Sequence, residues 1–193
     1  MSLPNIQAEV TRLAAPYARQ PGSSRLPLVE LTGGEPLLQA GALPLMQSLC
    51  EAGFSVLLET SGAHDIGGVD PRVHRIMDLK CPSSGEVLRN RWANLPLLRP
   101  TDEIKFVIGT HEDYAWTKST IEEHRLEAIC PVLLSWAAPL SAEQRDNSLK
   151  RVPVGQTPIT RLALAEQIVA DALPVRFQAQ LHKVIWSPET RGV

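Results

Sequence analysis

The 193-residue sequence is short of the features that would place it quickly. Its three cysteines, Cys50, Cys81 and Cys130, lie far apart, so no Cys-x2-Cys or similar metal spacing exists. An odd number of scattered thiols fits reduced, mostly buried cysteines in a cytoplasmic protein rather than a disulfide framework. No apolar run is long enough to cross a bilayer, and Met1 is not followed by a basic and then an apolar region. The formal net charge is only −2, which gives no electrostatic case for nucleic acid or a membrane surface as partner. No Gly-x-Gly-x-x-Gly stands at a strand-to-helix turn, which argues against a dinucleotide-binding domain. None of His64, His74, His111, His124 and His182 forms a His-x3-His pair, so a zinc hydrolase has no visible ligand set.

What is present is an ordinary globular composition, 44% apolar and 21% charged, in a length that suits one domain over residues 1–193. The central stretch is Leu28-Val-Glu-Leu-Thr-Gly-Gly-Glu-Pro-Leu-Leu-Gln39. Apolar residues run into two glycines, a carboxylate and a proline, which reads as a strand ending in a loop that backbone or ligand must approach closely. Pro36 suits the first turn of the following helix, where its missing N–H is not needed. Glu35 then sits at the carboxyl end of a strand, the edge where α/β folds bind ligands. A plain glycine turn with a solvated glutamate explains the same residues, and a lone Gly-Gly does not separate the two readings.

The rest of the chain alternates. Ile6, Val10, Leu13 and Tyr17 mark one face of a leading helix with Asn5 as its N-cap. Helices are predicted at Leu43–Ala52 (stopped by Gly53), Glu112–Glu127 and Ile159–Ala172. Strands are predicted at Leu28–Thr32, Phe54–Leu58, Arg75–Leu79, Glu103–Ile108 and Ile129–Ser135, with an alternating final strand over Val175–Trp186. Phe54–Leu58 is nearly all apolar, as expected for a strand covered on both faces. Helix-length spacers predict parallel β/α units with the strand ends on one side. Those ends carry Thr32–Pro36, Glu59–Gly62, Asp78–Ser84 and Ser135, four polar clusters that together predict a shared ligand site.

These pieces resemble the 7-carboxy-7-deazaguanine synthase family of radical S-adenosylmethionine (SAM) enzymes. The matching segments are Leu31-Thr-Gly-Gly-Glu-Pro-Leu-Leu-Gln39, Leu58-Glu-Thr-Ser-Gly62, Lys80-Cys-Pro-Ser-Ser-Gly85, Asp102-Glu-Ile-Lys-Phe-Val-Ile108, and Gln180-Leu-His-Lys-Val-Ile-Trp186 through Arg191-Gly-Val193. Gly-Gly-Glu-Pro alone would mark only the superfamily; the Gln-Leu-His-Lys tail is narrower.

The resemblance implies an α/β fold, a parallel partial barrel of radical SAM type whose first strand is missing. Gly33, Gly34, Glu35 and Pro36 would hold the methionine end of SAM, with backbone carbonyls and Glu35 facing its ammonium. Gly62 would approach SAM closely, and Asp78, Lys80 and Ser135 would contact its nucleoside portion. Thr60, His182 and the carboxylate of Val193 would contact a pterin substrate; for His182 a histidine capped by backbone is the competing reading. The implied reaction is a lyase step of queuosine and deazapurine biosynthesis, 6-carboxy-5,6,7,8-tetrahydropterin to 7-carboxy-7-deazaguanine plus ammonia. It would need SAM, a [4Fe–4S] cluster, Mg²⁺ and an electron donor, in a cytoplasmic homodimer.

The sequence departs from that pattern in having no Cys-x3-Cys-x2-Cys loop, so metal ligands and catalytic residues cannot be carried over. The expectation is a chain truncated at its N-terminus relative to the family and inactive as written; a natural short form that binds SAM or a deazapurine without radical chemistry is the alternative.

Overall fold

In the computed structural model, the structure describes residues 2–17, 27–139, 153–179 and 185–186. Four α-helices and six strands follow along them: α1 (Leu3–Ala14), β1 (Leu28–Leu31), α2 (Ala42–Glu51), β2 (Ser55–Thr60), β3 (His74–Leu79), β4 (Glu103–Ile108), α3 (His111–His124), β5 (Val132–Trp136), α4 (Arg161–Ala170) and β6 (Arg176–Gln178), with only 3-10 turns and loops between the strands from β2 to β4. Within the first compact unit the strands follow the order β1-β2-β3, and within the second β4-β5-β6. The α/β class with parallel pairing expected from the sequence is the one observed.

The chain divides into two compact units, Met1–Asp78 with Arg89–Glu103, and Leu79–Leu88 with Ile104–Val193. In the first, β1 pairs with β2 from Leu28↔Ser55 to Leu31↔Leu58, and β2 with β3 from Leu57↔His74 to Thr60↔Met77. Strand β2 alternates between half-buried and buried residues, so one face is sealed and the other is not; the two-faced burial expected of an apolar run is not found. Its buried side, Val56 and Leu58, belongs to a core with Met46 and Leu49 of α2, Ile66, Val73 and Met77. Helix α2 ends at Glu51 with Ala52 as its C-cap, and Gly53 takes φ +86°, the left-handed stop that glycine adopts without a Cβ clash.

Helix α1 begins at Leu3 with Ser2 in extended backbone as N-cap, so Asn5 lies inside the first turn and is not the cap. Pro4 explains the earlier start, because its fixed φ suits a first turn. Leu3, Ile6, Gln7, Val10 and Ala14 form a half-buried stripe. Ser48 of α2 donates to the Gln7 amide oxygen at 2.8 Å.

A buried ionic knot closes the first unit. Asp102 is fully buried and accepts from the Arg75 backbone N–H (3.1 Å), the Arg75 guanidinium (2.5 and 3.0 Å), and the Arg99 backbone and guanidinium (2.8 to 3.2 Å). Burial pushes its pKa up, but the hydrogen bonds from Arg99 and Arg75 prevail and hold it at about 2.

In the second unit β4 pairs with β5 from Ile104↔Val132 to Ile108↔Trp136, and β5 with β6 from Leu133↔Arg176 to Ser135↔Gln178. Ile104, Phe106, Ile108, Leu134 and Leu164 are buried there, with Trp116 set edge-on to Phe106 at 6.0 Å between ring centroids. Helix α3 stops at His124, three residues before the predicted end, because Arg125 turns left-handed (φ 50°). Ala172, just past α4, does the same (φ 47°). Strand β5 starts at Val132, since Leu126–Ala128 forms a 3-10 turn and Pro131 precedes the strand. Of the predicted final strand, Arg176–Gln178 is observed; residues 180–184 lie outside the described part.

Candidate functional site

The loop after β1 is built as its residue types require. Gly33 and Gly34 take φ +89° and +56°, conformations that L side chains avoid, and a Cβ at either position would meet nothing within 4 Å. The glycines therefore leave open space over two left-handed peptide units, where a ligand can reach the backbone. Thr32, just before them, donates to Glu59 at 3.2 Å. Pro36 is buried and opens a 3-10 turn, Pro36–Leu38, for which Glu35 is the N-cap.

Glu35 is fixed by four groups of this chain. Its Oε1 accepts from the Leu37 N–H at 3.0 Å and the Thr60 hydroxyl at 2.9 Å, and its Oε2 from the Ser61 N–H at 2.7 Å and the Ser61 hydroxyl. Burial raises its pKa, but the hydrogen bonds from Ser61, Leu37 and Thr60 outweigh that and hold it below the ordinary glutamate value. It is a carboxylate at neutral pH. Thr60 is 2% exposed, and its oxygen also accepts from the Gly62 N–H at 3.3 Å.

Gly62 has φ +69°, and a Cβ there would lie 2.8 Å from Cγ of the buried Met77 and 4.0 Å from the Asp78 carbonyl oxygen. Only glycine fits. The loop beyond it is stapled by Asn94, a residue that no motif or periodicity in the sequence singles out. Asn94 is fully buried in the 3-10 turn Trp92–Leu97, donates to the carbonyls of Gly62 (3.0 Å) and His64 (2.7 Å), and accepts from the Ile66 N–H (3.4 Å). The first unit thus joins Glu35, Thr60, Ser61 and Gly62 directly. Buried Asp78 is at its edge.

The second unit holds Lys80 and Ser135. Lys80 opens the segment Lys80–Gly85, whose Pro82–Ser84 turn is closed by Gly85 at φ +68°. Ser83 donates from its N–H (2.8 Å) and hydroxyl (2.5 Å) to Asp113, which also accepts from the N–H groups of Gly109 (3.0 Å) and Thr110 (3.2 Å). Asp113 is the third residue of α3 and completes a capping box with Thr110. That box was readable as Thr-x-x-Asp, but its grip on Ser83, thirty residues away, was not. Ser135 is 1% exposed, and its hydroxyl has no hydrogen-bond partner among the described residues. A buried hydroxyl without a partner costs on the order of 1–3 kcal/mol, a debt that a bound polar group would remove. His182 and Val193 lie outside the described residues.

Cofactor fit differs between groups. The glycine loop suits the methionine end of SAM, because an ammonium needs close oxygen acceptors and a negative field, and the loop offers bare backbone beside an ionised Glu35. For a cluster or a metal the fit fails: among the described residues, no three His, Cys, Asp or Glu side chains are grouped to hold a metal ion. Cys50 is half-buried in α2, Cys81 is buried 3.6 Å from the Thr117 hydroxyl, and Cys130 is buried before β5. Among the described residues, no helix is long and apolar enough to cross a membrane.

Parallel strand pairs with glycine loops at strand carboxyl ends define an α/β protein with a candidate ligand-binding edge. In fold, the chain is similar to Streptococcus suis SuiB bound to S-adenosylmethionine, with a TM-score of 0.51 at 13% identity, over 79% of this chain and 39% of that one. No family model matches the sequence. Curated relatives narrow the assignment: it is 42% identical to the 7-carboxy-7-deazaguanine synthase of Koribacter versatilis over all of this chain and 79% of that protein. It is 40% identical to that of Chlorobaculum tepidum over 92% of this chain and 80% of the relative. The chain belongs to the 7-carboxy-7-deazaguanine synthase family.

Proposed function

We propose that this chain binds SAM by its methionine end at Gly33–Pro36 in the manner of the family's lyase reaction, 6-carboxy-5,6,7,8-tetrahydropterin to 7-carboxy-7-deazaguanine and ammonia, and that the 193 residues as written do not run that reaction because they hold no Cys-x3-Cys-x2-Cys loop. The observation that carries the reading is the loop itself: two successive left-handed glycines under open space, next to a carboxylate held ionised by its neighbours. In this reading the backbone carbonyls of Gly33–Pro36 accept from the ammonium, the charge of Glu35 favours it, and Gly62 permits close approach on the adjoining loop. Bound SAM supplies the adenosyl group on which the family's hydrogen abstraction depends. The reading extends to a homodimer in the cytoplasm fed by a separate electron donor, each resting on the resemblance.

A second reading, ligand binding without chemistry, is favoured by the separate places of Cys50, Cys81 and Cys130 and by the missing Cys-x3-Cys-x2-Cys segment. Isothermal titration of the 193-residue chain with SAM tests the first part. Saturable binding is expected, weakened about tenfold or more in Gly34→Val, whose side chain would occupy the ligand's space in a strained backbone. Absence of binding at millimolar SAM sinks it. Anaerobic reconstitution with iron, sulfide and a reductant tests whether the 193 residues carry radical chemistry at all. We expect no 5′-deoxyadenosine above background from the 193-residue chain, and its appearance would remove the non-catalytic reading.

A further inference from the structure

We propose that Lys105 and Arg176, on one face of the second unit's sheet, form a seat for a small oxyanion, a carboxylate or a phosphate. The seat owes nothing to the glycine loop of the first unit.

Strand register brings the two cations together. Paired residues of a parallel sheet lie on the same face, and the face alternates along each strand. Lys105, Leu133 and Arg176 therefore form one row across β4, β5 and β6, and Val107, Ser135 and Gln178 form the next row toward the carboxyl ends. The opposite face carries Ile104, Phe106, Ile108, Val132 and Leu134, all buried, with Trp116 of α3 edge-on to Phe106. Helix packing takes that face and leaves both cations on the other.

Strands of a parallel sheet are ordinarily apolar on both faces. From Ile104 onward these three strands hold two charged residues, Lys105 and Arg176, and both are cations in the same row. The carboxylate one row below, Glu103, lies 3.8 Å from the His74 ring. Two strand spacings put the Cα atoms of Lys105 and Arg176 about 10 Å apart. That is about one Debye length, near enough for like charges to repel and for an anion between them to relieve the repulsion. Leu133, 6% exposed, is an apolar floor between them over which both long stems can converge.

Ser135 supplies an independent observation. It is 1% exposed in the adjoining row, and its hydroxyl has no hydrogen-bond partner among the described residues. A buried hydroxyl beside two cations is what an oxyanion can satisfy. Lysine would give it a point charge, arginine a two-pronged N–H fork, Ser135 an O–H, and Gln178 an amide N–H.

The test uses the full 193-residue chain without SAM, so its outcome does not depend on what the glycine loop binds. Inorganic phosphate and acetate are titrated separately at constant ionic strength, and the amide shifts of Leu133 and Ser135 are followed by NMR. Saturable shifts are expected, with a midpoint on the order of 1 mM for the better anion. Lys105→Met and Arg176→Gln should each raise it about tenfold, and Lys105→Arg and Arg176→Lys should stay within about threefold of wild type. Arg176 is exposed, so its variants keep the fold and carry the test even if Lys105→Met does not. Lys118→Met, which removes a cation paired with Asp171, should leave the midpoint unchanged. Tighter binding of phosphate identifies a phosphate ligand and tighter binding of acetate a carboxylate; either supports the seat. Shifts that climb without saturating would overturn it. So would equal midpoints in wild type and Arg176→Gln, or a loss in Lys118→Met as large as in Arg176→Gln, leaving an adventitious ion only.

Discussion

Glu35 and Asp102 are two carboxylates of the first unit, each holding distant segments together, and they do so with opposite chemistry. Asp102 is met by two guanidiniums, so its charge is cancelled where it is buried. Glu35 is met by two hydroxyls and two peptide N–H groups, none of them charged. A scaffold carboxylate needs neutralising, because a buried charge without an opposite partner is costly. A site carboxylate does better with neutral donors, which fix its position and keep its pKa low while leaving its field for a cation. Asp113 in the second unit belongs with Glu35: Ser83, Gly109 and Thr110 hold it with neutral donors beside a strand-end loop. In one loop the motif contributes the acceptor, in the other the donor.

The sharpest way to break this contrast is to remove each carboxylate. Asp102→Ala leaves buried Arg75 without its partner and should cost about 3–5 kcal/mol in urea unfolding. Glu35→Gln, which gives up neutral hydrogen bonds only, should cost about 1–2 kcal/mol. Equal losses would erase the distinction.

Acid comes next. Both folded pKa values lie below the ordinary ones, so each group contributes stability that is complete above its unfolded value and disappears as pH falls through its folded value. For Asp102 that window runs from 3.8 down to about 2, and the shift corresponds to roughly 2 kcal/mol. The difference in stability between wild type and Asp102→Ala should therefore shrink between pH 4 and pH 2, measured by urea titration at each pH. A difference that stays constant across the window would show that the guanidinium contacts do not depress Asp102.

The smallest expected effect is at the cap. Asp113→Ala removes one half of the α3 capping box and the anchor of Ser83, at about 1–2 kcal/mol. Amide exchange at Ser83 should rise with it. Protection unchanged at Ser83 would mean that the turn Pro82–Ser84 stands without Asp113.

The sequence made the frame legible because its signals are local. Strand β4 has the predicted bounds, and β1, β2, β3 and α2 fall within two residues of theirs, since apolar runs and glycine stops act over a few neighbours. The parallel pairing followed from spacer length. Glu35 was recognisable as a strand-end carboxylate; that Gly62 lies against the buried Met77 was not. What holds them was not legible. Ser61 reaches Glu35 across 26 residues and Asn94 reaches Gly62 across 32, and neither contact leaves a periodicity or a spacing in the chain. The misplaced N-cap at Asn5 has a different cause, since Pro4 set the start of α1 from inside the first turn. Composition could not tell whether Thr60 lies beyond β2 or ends it; pairing with Met77 makes it the last strand residue.

Arg125 and Ala172 carry one last lesson. Each is a side-chain-bearing residue in a left-handed backbone at a helix end of the second unit, where glycine would sit at ease. That is tension of about 1 kcal/mol apiece, held in reserve. Neither position lies in a strand-end loop, so an engineer seeking a hardier protein could release both without rewriting the ligand-facing loops.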